Sequence, residues 1–367
     1  MKRSSGFVAW AAVSIAMSGC FPDELIGGSR DASADAKAPD VVAPEDVVAQ
    51  DDGGLDAGDL DATAADAPAV DVPAVDVPTT PTDVDFCAMV PRERVPAMPV
   101  FAIQSGARDL AFDGRGGVAL TAMSRVNLVA PGGSATPLVE DAMGEVTALR
   151  FTASGQLVYA ASSLTDAGSV SGGIFVLEPG STTPTTRWSP TGRVDGLAVN
   201  PDGSVWYSDR TANTVYRLSL GDPAMPEAVV TGVQAPRSLA FDATGRVLYV
   251  GGSGGVYRVS LDGEDGGVGG ARAVFTGTDT ITGLAVDLCG NLWVADERPA
   301  PATSRLLRWD GAQFSVVYES ADGVRAIAFG QGGGYDDRVL YFIQASAGAV
   351  RAVGVVARGV ARPSPAP

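Results

Sequence analysis

The chain has 367 residues, with 43 acidic against 26 basic side chains, a formal net charge of −17 and no histidine. Its only lysines are Lys2 and Lys37, so nothing beyond residue 37 can offer an imidazole base, a His-ligated zinc, a Schiff-base lysine or a Ser–Lys dyad.

Lys2 and Arg3 lead into an apolar run from Phe7 to Met17. The run is too short to span a bilayer and has the plan of an export signal. Its last residues, Met17-Ser18-Gly19-Cys20, resemble a bacterial lipobox, with small residues before an obligatory cysteine. That resemblance implies acylation of Cys20 as the mature N-terminus, export, and anchoring to the cell envelope. Phe21 rather than Asp follows the cysteine, which in such systems points to the outer membrane. The alternative is an ordinary signal peptide cleaved nearby.

Residues 21–85 are dominated by Asp, Ala, Val and Pro, in phrases such as DVPAVDVP, and hold 17 acidic against 2 basic residues. Proline and like charge oppose a packed core, so this stretch reads as a disordered, self-repelling tether. As a flexible chain it would span about 40–50 Å, and charge repulsion would lengthen it. Within it, DDGGLDAGDLDATAAD lacks the ordered ligand spacing and terminal glutamate of a calcium loop.

Residues 86–358 read as one folded domain, and 359–367 as a tail. From residue 86 onward 22 basic residues nearly balance 26 acidic ones, which disfavours nucleic acid as a partner. Cys87 and Cys289 are the two thiols of this part, and an exported compartment permits them to pair. Pro99-Val100-Phe101-Ala102-Ile103 is an apolar run that precedes any repeat.

A phrase then recurs six times: DLAFDGRGG, ALRFTASGQ, GLAVNPDGS, SLAFDATGR, GLAVDLCGN and AIAFGQGGG. Its anchors Leu110, Leu149, Leu197, Leu239, Leu284 and Ile327 lie 39, 48, 42, 45 and 43 residues apart. In the third copy, GLAV, SVWYS, TVYRLSL and EAVVTG alternate as four short strands around turn residues, and nothing has helical spacing. Four-stranded units at this period are propeller blades, which bury their faces only against neighbours. The fold expected is all-β, a six-bladed β-propeller. The sixth copy lacks an outer strand, and the run 99–103 is placed to supply it and seal the edge.

Residues that open each innermost strand crowd one mouth of a propeller's channel. Two positions before the anchors stand Arg108, Thr147, Asp195, Arg237, Thr282 and Arg325. Three guanidinium forks suit carboxylate or phosphate groups, which makes these six the candidate ligand-binding residues. The alternative is that they tie neighbouring blades together. Asp209 and Asp296 end equivalent second strands and are either ligands or turn formers. Arg150 replaces an alanine of the other five copies and points into the channel or a wet seam between blades. Gly251-Gly252-Ser253-Gly254-Gly255 has the spelling of a nucleophile elbow, but without histidine and between two strands it is a turn.

The phrases GLAVNPDGSVWYSD and GLAVDLCGNLWVAD resemble blades of the SMP-30/gluconolactonase/LRE-like and NHL-repeat six-bladed propellers, over about residues 99–355. Catalytic members of the lactonase family hold a divalent cation at the channel mouth with Glu, Asn and Asp. Here only Asp195 matches such a position, while Arg108 and Arg237 stand at two others. Two functions follow. One is a non-catalytic, envelope-anchored propeller with no cofactor that binds an anionic small molecule, glycan or protein loop. The other is a divergent lactone hydrolase holding Ca²⁺ through Asp195 with Asp209 or Asp296.

Overall fold

The computed structural model describes residues 84–360, apart from 104–105, 165–169, 222–224, 263–268 and 300. The signal segment, Cys20, nearly all of the tether and residues 361–367 lie outside the described residues. The described residues form strands and turns and, ahead of them, a single five-residue helix, α1 (Val84–Ala88), which begins two residues inside the stretch expected as tether.

After β1 (Met98–Ala102), four strands make the first sheet: β2 (Leu110–Phe112), β3 (Val118–Ala122), β4 (Arg125–Val129) and β5 (Ala135–Val139). The second comprises β6 (Glu145–Phe151), β7 (Leu157–Leu164), β8 (Val170–Leu177) and β9 (Thr185–Trp188). The third comprises β10 (Val194–Val199), β11 (Val205–Asp209), β12 (Thr214–Leu218) and β13 (Pro226–Thr231). Then come β14 (Ser238–Phe241), β15 (Val247–Ser260), β16 (Arg272–Val286), β17 (Leu292–Glu297), β18 (Ser304–Trp309) and β19 (Phe314–Ser320). The chain finishes with β20 (Arg325–Phe329), β21 (Val339–Gln344) and β22 (Ala349–Gly354). All neighbouring strands pair antiparallel.

The result is an all-β, propeller-like array, with one correction. Six separate four-stranded blades were expected, and four such sheets are present. The fourth and fifth repeats instead share one six-stranded sheet, in the order β14-β15-β16-β17-β18-β19. The cause is local: β15 and β16 continue for 14 and 15 residues, bending within their ladders at left-handed glycines, Gly254 at φ 88° and Gly277 at φ 83°. Backbone bonding nonetheless brings the ends of β15 together, since Leu261 N donates to Arg246 O at 2.8 Å.

The first strands of the second to fifth repeats end in similar turns. In the third, Asn200 N donates to Ser204 O at 2.9 Å and Gly203, at φ 84°, donates to Asn200 O at 2.8 Å. Asp242 with Gly245 and Asp287 with Gly290 repeat it, the glycines supplying the left-handed conformation the turn requires.

The innermost strands stand in a closed circuit: β2 lies beside β6 and β20, β10 beside β6 and β14, and β16 beside β14 and β20. Apolar clusters fill the seams. Ala119 and Val126 of the first repeat meet Leu149 and Tyr159 of the second, and so on around to Ala328 and Tyr341 of the last against Leu110 and Leu120. Each fully buried aliphatic or aromatic side chain there contributes about 1.5–3 kcal/mol. The outer edge of the last sheet is covered as the sequence predicts, because β1 pairs with β22, Met98 opposite Ala352 and Ala102 opposite Ala349.

The entry to the ring is pinned separately. Cys87 of α1 is bonded to Cys289 in the β16–β17 turn, with Cα atoms 5.5 Å apart across 202 residues of sequence. Val90 is buried beside Trp293 and Leu306, and Arg308 Nη1 donates to the Val90 and Pro91 carbonyls, both at 3.2 Å. At the other end Gly359 and Val360, assigned to the tail from sequence, are tied to the sheet: Val360 N donates to Val286 O at 3.0 Å and Gly359 N to Asp337 O at 2.9 Å.

Two outcomes follow from this packing. Replacing Cys87 and Cys289 together by serine should cost about 2–5 kcal/mol, read as a lower Tm; an unchanged Tm would show that the ring holds its entry segment without the bridge. Burial pushes the hydroxyls of Tyr159 and Tyr335 up to about 12, from an ordinary 10.0. A raised folded pKa gives stability that is complete below the unfolded value and lost as pH rises through the folded one. Stability towards urea should therefore fall between pH 10 and about 12, with tyrosinate absorbance appearing alongside; absorbance complete at pH 10 without unfolding would contradict the burial.

Candidate functional site

Five of the six predicted mouth residues do meet. Arg108, Thr147, Asp195, Arg237 and Thr282 line one small cavity of about 20 Å³ at the starts of the inner strands. Arg325 does not: its guanidinium turns aside to Glu297, with Nη2 at 2.5 Å and Nε at 2.7 Å from Oε1. A carboxylate one residue beyond Asp296 captures it, which the spacing of the repeats does not reveal.

The two threonines bind the ring rather than the channel. Thr147 Oγ1 donates to Val194 O at 2.5 Å, joining the second repeat to the third, and Thr282 Oγ1 donates to Val324 O at 3.2 Å, joining the fifth to the sixth. Hydroxyls at these strand starts satisfy carbonyls that the neighbouring blade would otherwise leave unpaired.

The charged residues form a chain around the mouth. Glu145 accepts from Arg108 through Oε1 and faces Arg193 Nη2 through Oε2 at 3.4 Å. Arg193 Nε donates to Asp195 Oδ1 at 2.7 Å, and Arg210 Nη1 lies 3.6 Å from Asp195 Oδ2. Arg193 is accordingly held above its ordinary pKa by Asp195 and Glu145, against the effect of its burial. Sequence reading overlooked Glu145, Arg193, Arg210 and Glu297. A signal existed: Glu145 and Arg193 stand two residues before Thr147 and Asp195, so strand alternation puts each pair on one face. Arg210 and Glu297 directly follow the equivalent Asp209 and Asp296.

Arg237 is the exception in this chain of pairs. Its Nε is buried with no hydrogen-bond partner, and it forms no ion pair among the described residues. Burial first, and then the charge of Arg210, lower its pKa. Its backbone is fixed within the fourth repeat, where Arg237 N donates to Gly251 O at 2.7 Å, and packs against the third, where its carbonyl would lie 2.0 Å from a Cβ at Gly196. Only glycine permits that approach. With their partners, the mouth residues bring four guanidiniums (Arg108, Arg193, Arg210, Arg237) against two carboxylates (Glu145, Asp195).

Arg150 points into the channel. Its Nη1 lies 2.5 Å from Asp109 Oδ2 and from the Leu149 carbonyl, and both charged side chains are about nine-tenths buried. Asp109 Oδ2 also accepts from Leu149 N at 3.0 Å. This pair forms the floor of the mouth cavity. Arg150 also lines a larger cavity of about 180 Å³ on the far side.

The carboxylates that the calcium alternative would use are each engaged elsewhere. Asp209 Oδ1 accepts from Thr211 N and Ala212 N, both at 2.9 Å, and so makes a turn. Asp296 is fully buried against Arg305, with Nη2 at 2.5 Å. Asp195 is held by Arg193 and Arg210. The three carboxylates do not converge, and among the described residues no group of three His, Cys, Asp or Glu side chains is disposed to hold a metal. The guanidinium surplus opposes a dication at the mouth. Millimolar Ca²⁺ should leave the Tm unchanged and EDTA should do the same; a rise in Tm with calcium that D195N removes would restore the cation site.

No family model matches the chain, and no curated protein matches it in sequence. Its fold does match solved structures. A gluconolactonase from Xanthomonas campestris is 16% identical with a TM-score of 0.56, over 72% of this chain and 89% of that one. A luciferin-regenerating enzyme is 16% identical with a TM-score of 0.55, over 74% and 99%. An auxiliary nutrient binding protein from Bacteroides ovatus is 16% identical with a TM-score of 0.51, over 68% and 69%. At these identities the likeness is one of fold. The chain has the fold of the SMP-30/gluconolactonase/LRE-like propellers.

Proposed function

We propose that this chain is an envelope-anchored binding propeller that captures an anionic group at its channel mouth and carries out no chemistry on it. The observation behind this reading is Arg237, a half-buried side chain whose buried Nε lacks an acceptor, set beside Arg210 in a mouth with two more cations than anions. A carboxylate or phosphate oxygen would satisfy that donor, and the dry surroundings would strengthen the bond. A cavity of about 20 Å³ has room for about one water-sized atom, so a single oxygen of such a group would enter it and the rest of the ligand would lie above the mouth. Small organic acids, acidic glycans and acidic protein loops all present such a group. In this reading the six-stranded sheet is two blades joined through unbroken strands, so six blades surround one channel. Acylated Cys20 would fix the protein to the bilayer, on the outer membrane, with residues 21–85 as a disordered spacer.

A lactone hydrolase is the second reading. It is favoured by the presence of gluconolactonases among the propellers of this fold and by Asp195 at the mouth. The pairing of Asp195 with two arginines, and the separation of Asp209 and Asp296 from it, count against it.

Calorimetric titration with gluconate, citrate and inorganic phosphate separates the two. R237Q should weaken anion binding by about 10–150-fold, the worth of one hydrogen bond to a charge, with Tm held within a few degrees. Equal affinity in the variant would reject the mouth as the site. Hydrolysis of gluconolactone that depends on Ca²⁺ and is lost in D195N would establish the enzyme instead.

A further inference from the structure

We propose that the far end of the channel is a second binding site, for a small monocyclic aromatic molecule carrying an acceptor oxygen. The site does not rest on the anion-binding reading of the mouth, from which the Arg150–Asp109 pair separates it.

The cavity follows from the repeat. One position after the anchors, the third, fourth and fifth copies place Ala198, Ala240 and Ala285 on its wall, where the second places Arg150. Three short side chains facing one long one leave space that nothing fills. One residue further along, Phe151, Phe241 and Phe329 bring aromatic rings to the wall. Gly359 and Val360 cross the rim, Gly359 so closely that a Cβ there would fall 2.2 Å from the Phe329 ring.

Size and chemistry select the ligand. The volume is about 180 Å³, and a dry apolar cavity of about 150 Å³ takes up benzene. Aromatic walls favour a planar ring through offset and edge contacts. Arg150 spends Nη1 on Asp109 and on the Leu149 carbonyl. Its Nε and Nη2 are the donors left for an oxygen at the inner end of the cavity. Asp242 and Asp337 are also present on the wall. Asp242 is committed to the backbone of Arg246 and Val247, at 3.0 Å each, and Asp337 to Arg358 at 3.6 Å. An uncharged ligand, with its oxygen turned to Arg150, fits this set.

Benzamide is the probe, followed by saturation-transfer NMR and calorimetry on the full chain, with acetamide, which lacks the ring, and toluene, which lacks the oxygen, for comparison. Benzamide should bind at millimolar concentration or better, and both comparison molecules should bind about tenfold more weakly. A240L, which fills the cavity from β14, should weaken benzamide about tenfold or more, and R237Q should leave it unchanged. If A240L does not fold, A285V makes the same test with one branch less bulk. Unchanged benzamide affinity in the folded cavity-filling variant would overturn the site, as would no binding at all. Binding seen only in a chain ending at Val360 would assign the cavity to the protein's own residues 361–367 and equally overturn it.

Discussion

The structure depends on burial that no repeat can achieve alone. Each sheet has two apolar faces, and a four-stranded sheet left in water would expose both. The seams between repeats remove them: Leu149 and Leu197 sit at successive seams with no exposed surface, and the same clusters recur until the last repeat meets the first. The array is therefore stable only as a closed circuit. The pairing of β1 with β22 matters for this reason, because it ties the beginning of the domain to its end in one sheet.

Closure also sets the chemistry of the axis. Every repeat sends the first residues of its inner strand to one end and the last to the other, so a single repeating phrase yields two unlike openings. At one end charged side chains outnumber the space available and settle into pairs, with Arg237 left over. At the other, alanines and phenylalanines leave a larger hollow, with Arg150 at its inner end. Arg150 lines both, and its contact with Asp109 stands between them. A ring with alanine at position 150, as in the other copies, would have an open axis.

Much of this was legible in the residues, and the limits are physical. The repeat anchors, the turn after each inner strand and the missing outer strand were all readable, because periodicity two, turn glycines and an unpartnered edge are local signals. The convergence of Arg108, Thr147, Asp195, Arg237 and Thr282 was readable too, since topology alone brings strand starts together. The continuity of β15 and β16 was not, because glycine-rich stretches are compatible with either a break or an extended bend. Nor was the diversion of Arg325 to Glu297, or the chain from Arg108 through Glu145 to Arg193: which long, flexible side chain pairs with which carboxylate depends on distances of a few ångströms across different repeats.

The bond between Cys87 and Cys289 has a mechanical consequence. Going along the chain from the N-terminus, Cys87 comes before β1, and β1 is the strand whose removal would open the circuit. A pull arriving from residues ahead of Cys87 enters the β16–β17 turn through a covalent link and never reaches the β1–β22 hydrogen bonds. The weakest joint of the ring is shielded from whatever drags on its leader, and force is delivered instead to the broadest sheet in the molecule.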